Sequence, residues 1–379
     1  MEAARRHYGA LTVLIRIGIY TDGEPRVSRG AAEGEWRVDN AVRGVGFHWR
    51  EVYRMLLSGV SSVEVLPPRE GEPSLVASID LERYLESVVS SEMSPEAPEE
   101  FIKAHAIISR SWAVRMITCP PSAGRLTETE GDDMTIIYDT AAHRGFHLCN
   151  DDHCQRFQGM ERVSAKARKA VADTAGTVLA DRDGNVADAR YSKCCGGMTE
   201  LFSTCWQDRD YHYLQPVADP WCDLSGLGPE ERDRILASAL RDFDRSATPD
   251  FYRWERTVDA AGVSERLRAL TGIDIGEAKG LEAVRRGPSG RVSRLRVDGS
   301  RRSVTLGKEL AIRRLLAADC LLSSAFTVSG APGGFRLAGK GWGHGAGLCQ
   351  IGAAAMAAAG HTAEEILAFY YPGTKTVTI

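Results

Sequence analysis

The 379-residue chain has no excess of positive charge: 47 Lys and Arg stand against 51 Asp and Glu, a formal net charge of −4. Such a balance offers nucleic acid no basic face, and nucleic acid is not expected as a partner. Long hydrophobic runs are missing too. Leu11 to Ile19 is interrupted by Thr12 and Arg16 and is too short to span a bilayer, so no membrane segment is expected in this chain. Nor is Met1 to Ala10 followed by a long apolar stretch and a small-residue cleavage site, so no export signal is expected here either. There is no internal repeat, no low-complexity tract and no His-Glu-x-x-His motif, which argues against a hydrolase built on that zinc helix. Nine cysteines are too dilute for a disulfide scaffold and odd in number, so at least one thiol stays unpaired within the monomer.

With 43% hydrophobic and 26% charged residues, the composition is that of a soluble globular protein whose core needs neither metal nor disulfide for stability. β-branched residues suggest strands at Leu11 to Ile19, Ser62 to Leu66 and Leu75 to Ile79, separated by Pro, Gly and Glu punctuation. Leu81, Tyr84, Leu85, Val88 and Val89 have the spacing of an amphipathic helix stopping around Ser90 and Ser91. Ser94-Pro95 or Pro98 opens a longer helix through Met116, with Phe101, Ala104, His105, Ile108 and Trp112 on one face. Lys103, Ala106 and Arg110 share a neighbouring stripe, so the two cations point in a similar direction.

Further on, Arg162 to Thr174 reads as a helix feeding a strand at Gly176 to Leu179, with another strand at Val186 to Tyr191 after the Asp183-Gly184 turn. Glu230 to Thr271 is mostly helical in character with a break near Pro249. Arg291 to Val297 and Ser303 to Leu306 form a hairpin whose arginines read as a solvated face. An alanine-rich helix ends at Gly360, and Thr362-x-x-Glu365 opens a last helix that Pro372 stops. The fold class expected is α+β, with mixed helices and short antiparallel strands, a main unit over 11–379 and an inserted helical and hairpin elaboration over 225–325.

Three distant segments join special backbone requirements to reactive side chains. They are Tyr84-Leu-Glu-Ser-Val-Val-Ser-Ser-Glu92-Met-Ser-Pro95, Tyr191-Ser-Lys-Cys-Cys-Gly-Gly-Met-Thr-Glu200 and Gly341-Trp-Gly-His344-Gly-Ala-Gly-Leu-Cys-Gln350-Ile-Gly352. Gly196-Gly197 reads as a tight turn with Tyr191, Ser192 and Lys193 before it, of which Tyr191 and Lys193 are candidate binding side chains. A strand end that simply turns is the equal alternative. Glu200 is the best second carboxylate, although a capping or turn role fits a Thr-Glu pair better. His344 and Gln350 are the polar side chains of the glycine loop, and a histidine flanked by glycines has little packing of its own. Cys349 reads as an ordinary small apolar residue.

Together these segments resemble the SpoIID/LytB family, which carries a Val-Val-x-x-Glu-Met-Pro-like motif, a Lys/Arg-bearing helix, a Gly-Gly-x-Thr-Glu turn and a Gly-His-Gly-x-Gly-x-x-Gln-x-Gly signature. One departure is visible: Ser94 follows Glu92-Met93 where the family has proline, and Pro95 comes one place later. The resemblance implies a cell-envelope protein of sporulation or wall remodelling acting on peptidoglycan glycan strands. Its role there is either a lytic transglycosylase or a non-catalytic enhancer of a cell-wall amidase. For Glu92 it implies general acid and then general base, which requires a protonated carboxyl kept among apolar groups such as Met93. Lys103 and Arg110 are then expected to hold glycan carboxylate or acetamido groups away from Glu92.

His143-x5-Cys149-x4-Cys154 offers nitrogen and sulfur ligands at spacings a loop can fold around zinc, with His147 and His153 as competitors for the third place. A Cys149–Cys154 disulfide, with a second between Cys205 and Cys222, is the alternative; the accompanying histidines favour zinc. Cys194 or Cys195 is a candidate fourth ligand. Cys149 to Gln155 also resembles a Cys-x-x-x-His-Cys-Gln element of the family.

Overall fold

The computed structural model describes residues 13–43, 51–67, 69, 72–120, 125–138, 143, 145–151, 154–240 and 251–379. The first residues of the strand expected from Leu11, His153 and the break expected near Pro249 lie outside them.

The chain is α+β, its strands gathered into small sheets. Leu14–Ile19 lies between Leu75–Asp80, antiparallel, and Leu148–Cys149, parallel, and Val60–Val65 pairs with the far side of Leu75–Asp80. Ile15, Ile17 and Ile19 are fully buried, while Arg16 turns the other way to Glu64 and the Gly145 carbonyl. The arginine that interrupts the apolar run is thus the outward residue of an alternating strand. Val27–Arg29, Glu35–Arg43 and Glu51–Ser58 form a second small sheet, none of whose strands is expected individually from the sequence.

Asp80 ends the sheet and caps the helix Leu81–Glu92, its carboxylate accepting from the Glu82 and Arg83 amides. The helix passes the expected stop at Ser90 and Ser91 and ends on Glu92, with Met93 as C-cap. The next helix, Glu99–Thr118, starts after Pro98, the later of the two expected starts. It packs against Leu81–Glu92 and Ala165–Asp173. The strand Thr177–Ala180 pairs with the last strand, Lys375–Thr378. Only an isolated bridge at Val186 stands where a strand was expected before Tyr191.

The expected hairpin is present as Val292–Gly299 and Ser303–Gly307. Ala278–Arg286 extends it on one side, and Asp133–Tyr138 joins in parallel on the other. Within the stretch read as helical, Pro229–Ala239 and Ala260–Thr271 are helices but Arg253–Asp259 is a strand against Gly334–Lys340. Trp254 and Val258 are its buried residues, a four-residue separation that a helix shares, and only the distant partner strand decides between them. The capping box at Thr362 and Glu365 forms as expected.

Candidate functional site

Glu92 occupies the last turn of its helix, the negative pole of the backbone dipole, where a carboxylate charge is least welcome. The helix N-terminus that the sequence places just after it begins only at Glu99. The side chain is buried, and its Oε1 lies 3.4 Å from both the Tyr191 hydroxyl and the Arg156 amide. Tyr191 begins a two-residue strand, Tyr191–Ser192, that runs parallel to Leu348–Cys349 and so brings the second and third segments together.

Two glycines make that pairing possible. Gly347 has φ +70° and a Cβ there would run into the Arg190 carbonyl; Gly343 has φ +94° and a Cβ there would stand 3.0 Å from that of Ser192. Gln350 opens the helix Gln350–Ala358, and its amide lies 3.1 Å from Nε2 of His105. His105 comes from the middle of Glu99–Thr118, is fully buried, and stacks edge-on to the Tyr191 ring at 4.6 Å between centroids. Its Nδ1 meets the Ser109 hydroxyl at 3.1 Å. Burial pulls the imidazole down to about 4, and Lys193 adds to this while Glu92 opposes it. The ring is therefore neutral near pH 7. With the Gln350 amide donating to Nε2, the proton sits on Nδ1 and is given to Ser109.

Gln155 completes the surround, accepting from the Tyr84 hydroxyl at 3.2 Å and donating to the Ser109 carbonyl at 3.2 Å. Burial pushes the Tyr84 and Tyr191 phenols far up, so both remain donors at any working pH. The Ser192 hydroxyl is buried with no hydrogen-bond partner among the described residues. His105 and Gln155 were not singled out from the sequence as site residues. Histidine at position 105 falls among Phe101, Ile108 and Trp112 on the apolar face, and a lone polar residue on such a face was the available signal.

Other expected site residues are placed differently. Arg110 is fully buried and gives Nε and Nη2 to both oxygens of Glu82, at 2.7 and 2.6 Å, and Nη1 to the Thr177 carbonyl. The expectation that it holds substrate is corrected: the guanidinium binds the Leu81–Glu92 helix to the strand behind it. Lys103 does face the same side as Arg110, towards Ala165–Asp173, and pairs there with Glu99 and Glu100 at 3.1 and 3.0 Å. Glu200 is fully buried and accepts from Leu201, Thr204 and Ser289, which is the turn role favoured for it. Arg291, expected on a solvated face, is instead fully buried and donates to the carbonyls of Cys195 and Gly343, fastening the second segment to the third.

His344 is not without packing: its ring meets Trp206 at 4.8 Å between centroids, its Nδ1 accepts from the Ala346 amide at 3.0 Å, and it hydrogen-bonds the Tyr191 backbone. Burial, with Arg190 and Arg291 nearby, drives its basicity well down, so it too is neutral.

His143, Cys149 and Cys154 do come together, their ligand atoms all within 4.8 Å of one another, with His143 Nε2 3.2 Å from Cys154 Sγ. Neither thiol is disulfide-bonded, so the Cys149–Cys154 bridge is absent, as is the one conceived between Cys205 and Cys222. His147 turns its Nδ1 to the Arg16 amide and does not compete. Cys194 and Cys195 lie elsewhere, with Cys222 and Cys349, and do not complete this group. Two thiols and an imidazole at this separation fit a zinc ion with one further coordination position.

A buried carboxylate met by a phenol, with a neutral histidine behind it, at the junction of three distant segments defines a candidate acid–base site in an α+β frame. Residues 69–180 match the family described as stage II sporulation protein, SpoIID, and residues 200–347 match a domain of unknown function, DUF8618. The chain is 24% identical over 306 residues to stage II sporulation protein D of Bacillus subtilis, covering 79% of this chain and 75% of that protein. It is 26% identical over 303 residues to an uncharacterized protein of Brachyspira hyodysenteriae, covering 80% and 68%. It is also 25% identical over 312 residues to the amidase enhancer of Bacillus subtilis, but spans only 40% of that protein's length. Over residues 69–180, then, the chain is similar to the SpoIID family.

Proposed function

We propose that this protein acts on the bacterial cell wall outside the cytoplasm, as a lytic transglycosylase that cuts glycan strands between N-acetylmuramic acid and N-acetylglucosamine. The observation that carries the reading is the buried Glu92 carboxyl, met by Tyr191, while the second carboxylate offered by the sequence, Glu200, is spent on Ser289, Leu201 and Thr204. Hydrolysis of a glycoside ordinarily needs two carboxylates. One suffices if the nucleophile is the 6-hydroxyl of the muramic acid ring.

Protonated Glu92 gives its proton to the glycosidic oxygen as the bond from that oxygen to C1 breaks. The 6-hydroxyl then bonds to C1 and returns its proton to the Glu92 carboxylate, leaving a 1,6-anhydro end and consuming no water. Tyr191 steadies the carboxylate while it is charged, and His105 and Gln350 hold the Tyr191 ring in place. Ser192 and Lys193, on the same turn, and His344, on the glycine loop, are the candidate glycan contacts, with Lys103 an outlying one. Zinc held by His143, Cys149 and Cys154 would fix the loop from which Gln155 and Arg156 reach the site.

The likeness to the amidase enhancer favours a second reading, in which the same site binds glycan and stimulates a partner amidase without chemistry. Mass spectrometry of glycan strands, with and without stem peptides, after incubation with the protein and with Glu92→Gln distinguishes the two. Anhydro ends made by the native protein and not by the variant support the enzyme. Their absence from both, with amidase stimulation intact in both, supports the enhancer.

A further inference from the structure

A second group of potential ligands lies outside the site just described. Cys195 Sγ, Cys222 Sγ, Cys349 Sγ and a carboxylate oxygen of Asp219 all lie within 4.8 Å of one another, and all four residues are buried. They come from three separate stretches: the turn after Tyr191–Ser192, the loop before Pro229–Ala239, and the N-cap of Gln350–Ala358. Packing alone gives no reason to assemble three thiols around a carboxylate, since a buried thiol behaves as a small apolar group and a buried carboxylate does not belong among such groups.

We propose that Cys195, Asp219, Cys222 and Cys349 form a closed, structural zinc site. Around zinc with thiolate bonds of about 2.3 Å, neighbouring sulfurs of a tetrahedral shell stand about 3.8 Å apart. The sulfurs of Cys195 and Cys222 are 3.5 Å apart, and Cys195 Sγ is 3.1 Å from Asp219 Oδ2. Only a small adjustment separates this cluster from a coordination shell.

The surroundings are those of ligands held in place. Asp219 is oriented by the Tyr370 hydroxyl at 3.0 Å on Oδ2 and by the Trp221 amide at 3.0 Å on Oδ1. Cys349 Sγ accepts the Cys195 amide at 3.2 Å and, at the start of its helix, the Gly352 amide at 3.5 Å. Asp219 and Cys222 are separated by two residues, the span over which one loop commonly supplies two ligands. A metal here would pin together the strands that carry Tyr191 and lead to Gln350, without touching Glu92.

The test is zinc content by mass spectrometry of the full chain, purified with reductant and supplied with zinc alone. Two zinc per native chain are expected, one in the Cys149→Ser, Cys154→Ser double variant, and none when Cys222→Ser is added. Should that triple variant fail to fold, zinc-edge X-ray absorption of the double variant decides, with three sulfurs and one oxygen around the remaining ion expected. A double variant that retains no zinc, or whose zinc sees fewer than two sulfurs, overturns the proposal. So does a Cys195–Cys222 disulfide found by peptide mapping of protein prepared without reductant. None of these readouts depends on glycan cleavage, so the site and the proposed reaction stand or fall separately.

Discussion

The Tyr191 hydroxyl donates to Oε1 of Glu92 at 3.4 Å across 99 residues of chain, and the same ring leans on His105. Tyr191→Phe keeps the ring contact and removes only the donor. Losing a hydrogen bond to a carboxylate costs about 1.5–3 kcal/mol, so the proposed glycan cleavage is expected to slow by roughly 10- to 100-fold. Glu92→Gln is expected to slow it by about 100-fold or more. Circular dichroism melting should place both variants close to the native protein; a large drop in either would mean that folding, not chemistry, had been removed.

Buried His105 titrates near 4 in the folded chain against 6.5 when free. The unfolded chain therefore binds more protons between those values, and stability falls as pH drops from 6.5 towards 4. The full effect is on the order of 3 kcal/mol. Urea denaturation at pH 7, 5.5 and 4.5 measures it, and His105→Gln should flatten the part of the slope that belongs to this residue. An unchanged slope in a folded variant would assign the pH dependence elsewhere.

Arg110 and Lys103 sit two turns apart on one helix face yet carry different energies. Arg110→Ala strands Glu82 without its buried partner and should cost about 3–5 kcal/mol of unfolding free energy. Lys103→Ala loses partly exposed pairs and should cost less than about 1 kcal/mol. Denaturant midpoints compare the two directly.

Arg291→Leu is expected to disturb the site without touching it. Its guanidinium satisfies the carbonyls of Cys195 and Gly343, and leaving a buried acceptor unpaired costs about 1–3 kcal/mol for each group. Amide hydrogen exchange around 191–196 and 341–349 should quicken more than in the Leu81–Glu92 helix. Uniform loss of protection would instead mark a general destabilisation.

Local patterning made much of the frame legible. The apolar spacing of Leu81 to Val89, the proline before Glu99, the hairpin at 292–307 and the Thr362 capping box all express interactions within a few residues, and each appears at or near its expected place. The strand Arg253–Asp259 was hidden because its two buried residues suit either period until Gly334–Lys340 pairs with it.

For the candidate site, the sequence alone singled out three stretches that the fold brings together, since a glutamate, a glycine turn and a glycine loop advertise unusual backbone and reactive groups at short range. What only tertiary structure decided is where each polar group is spent. Arg110 goes to Glu82, 28 residues away; Gln350 goes to His105, 245 residues away; and Cys195 finds Asp219, 24 residues on. A charge or thiol reads the same along the chain whether it faces a ligand or a buried partner, because burial and pairing, which set its energy, exist only once distant segments have met.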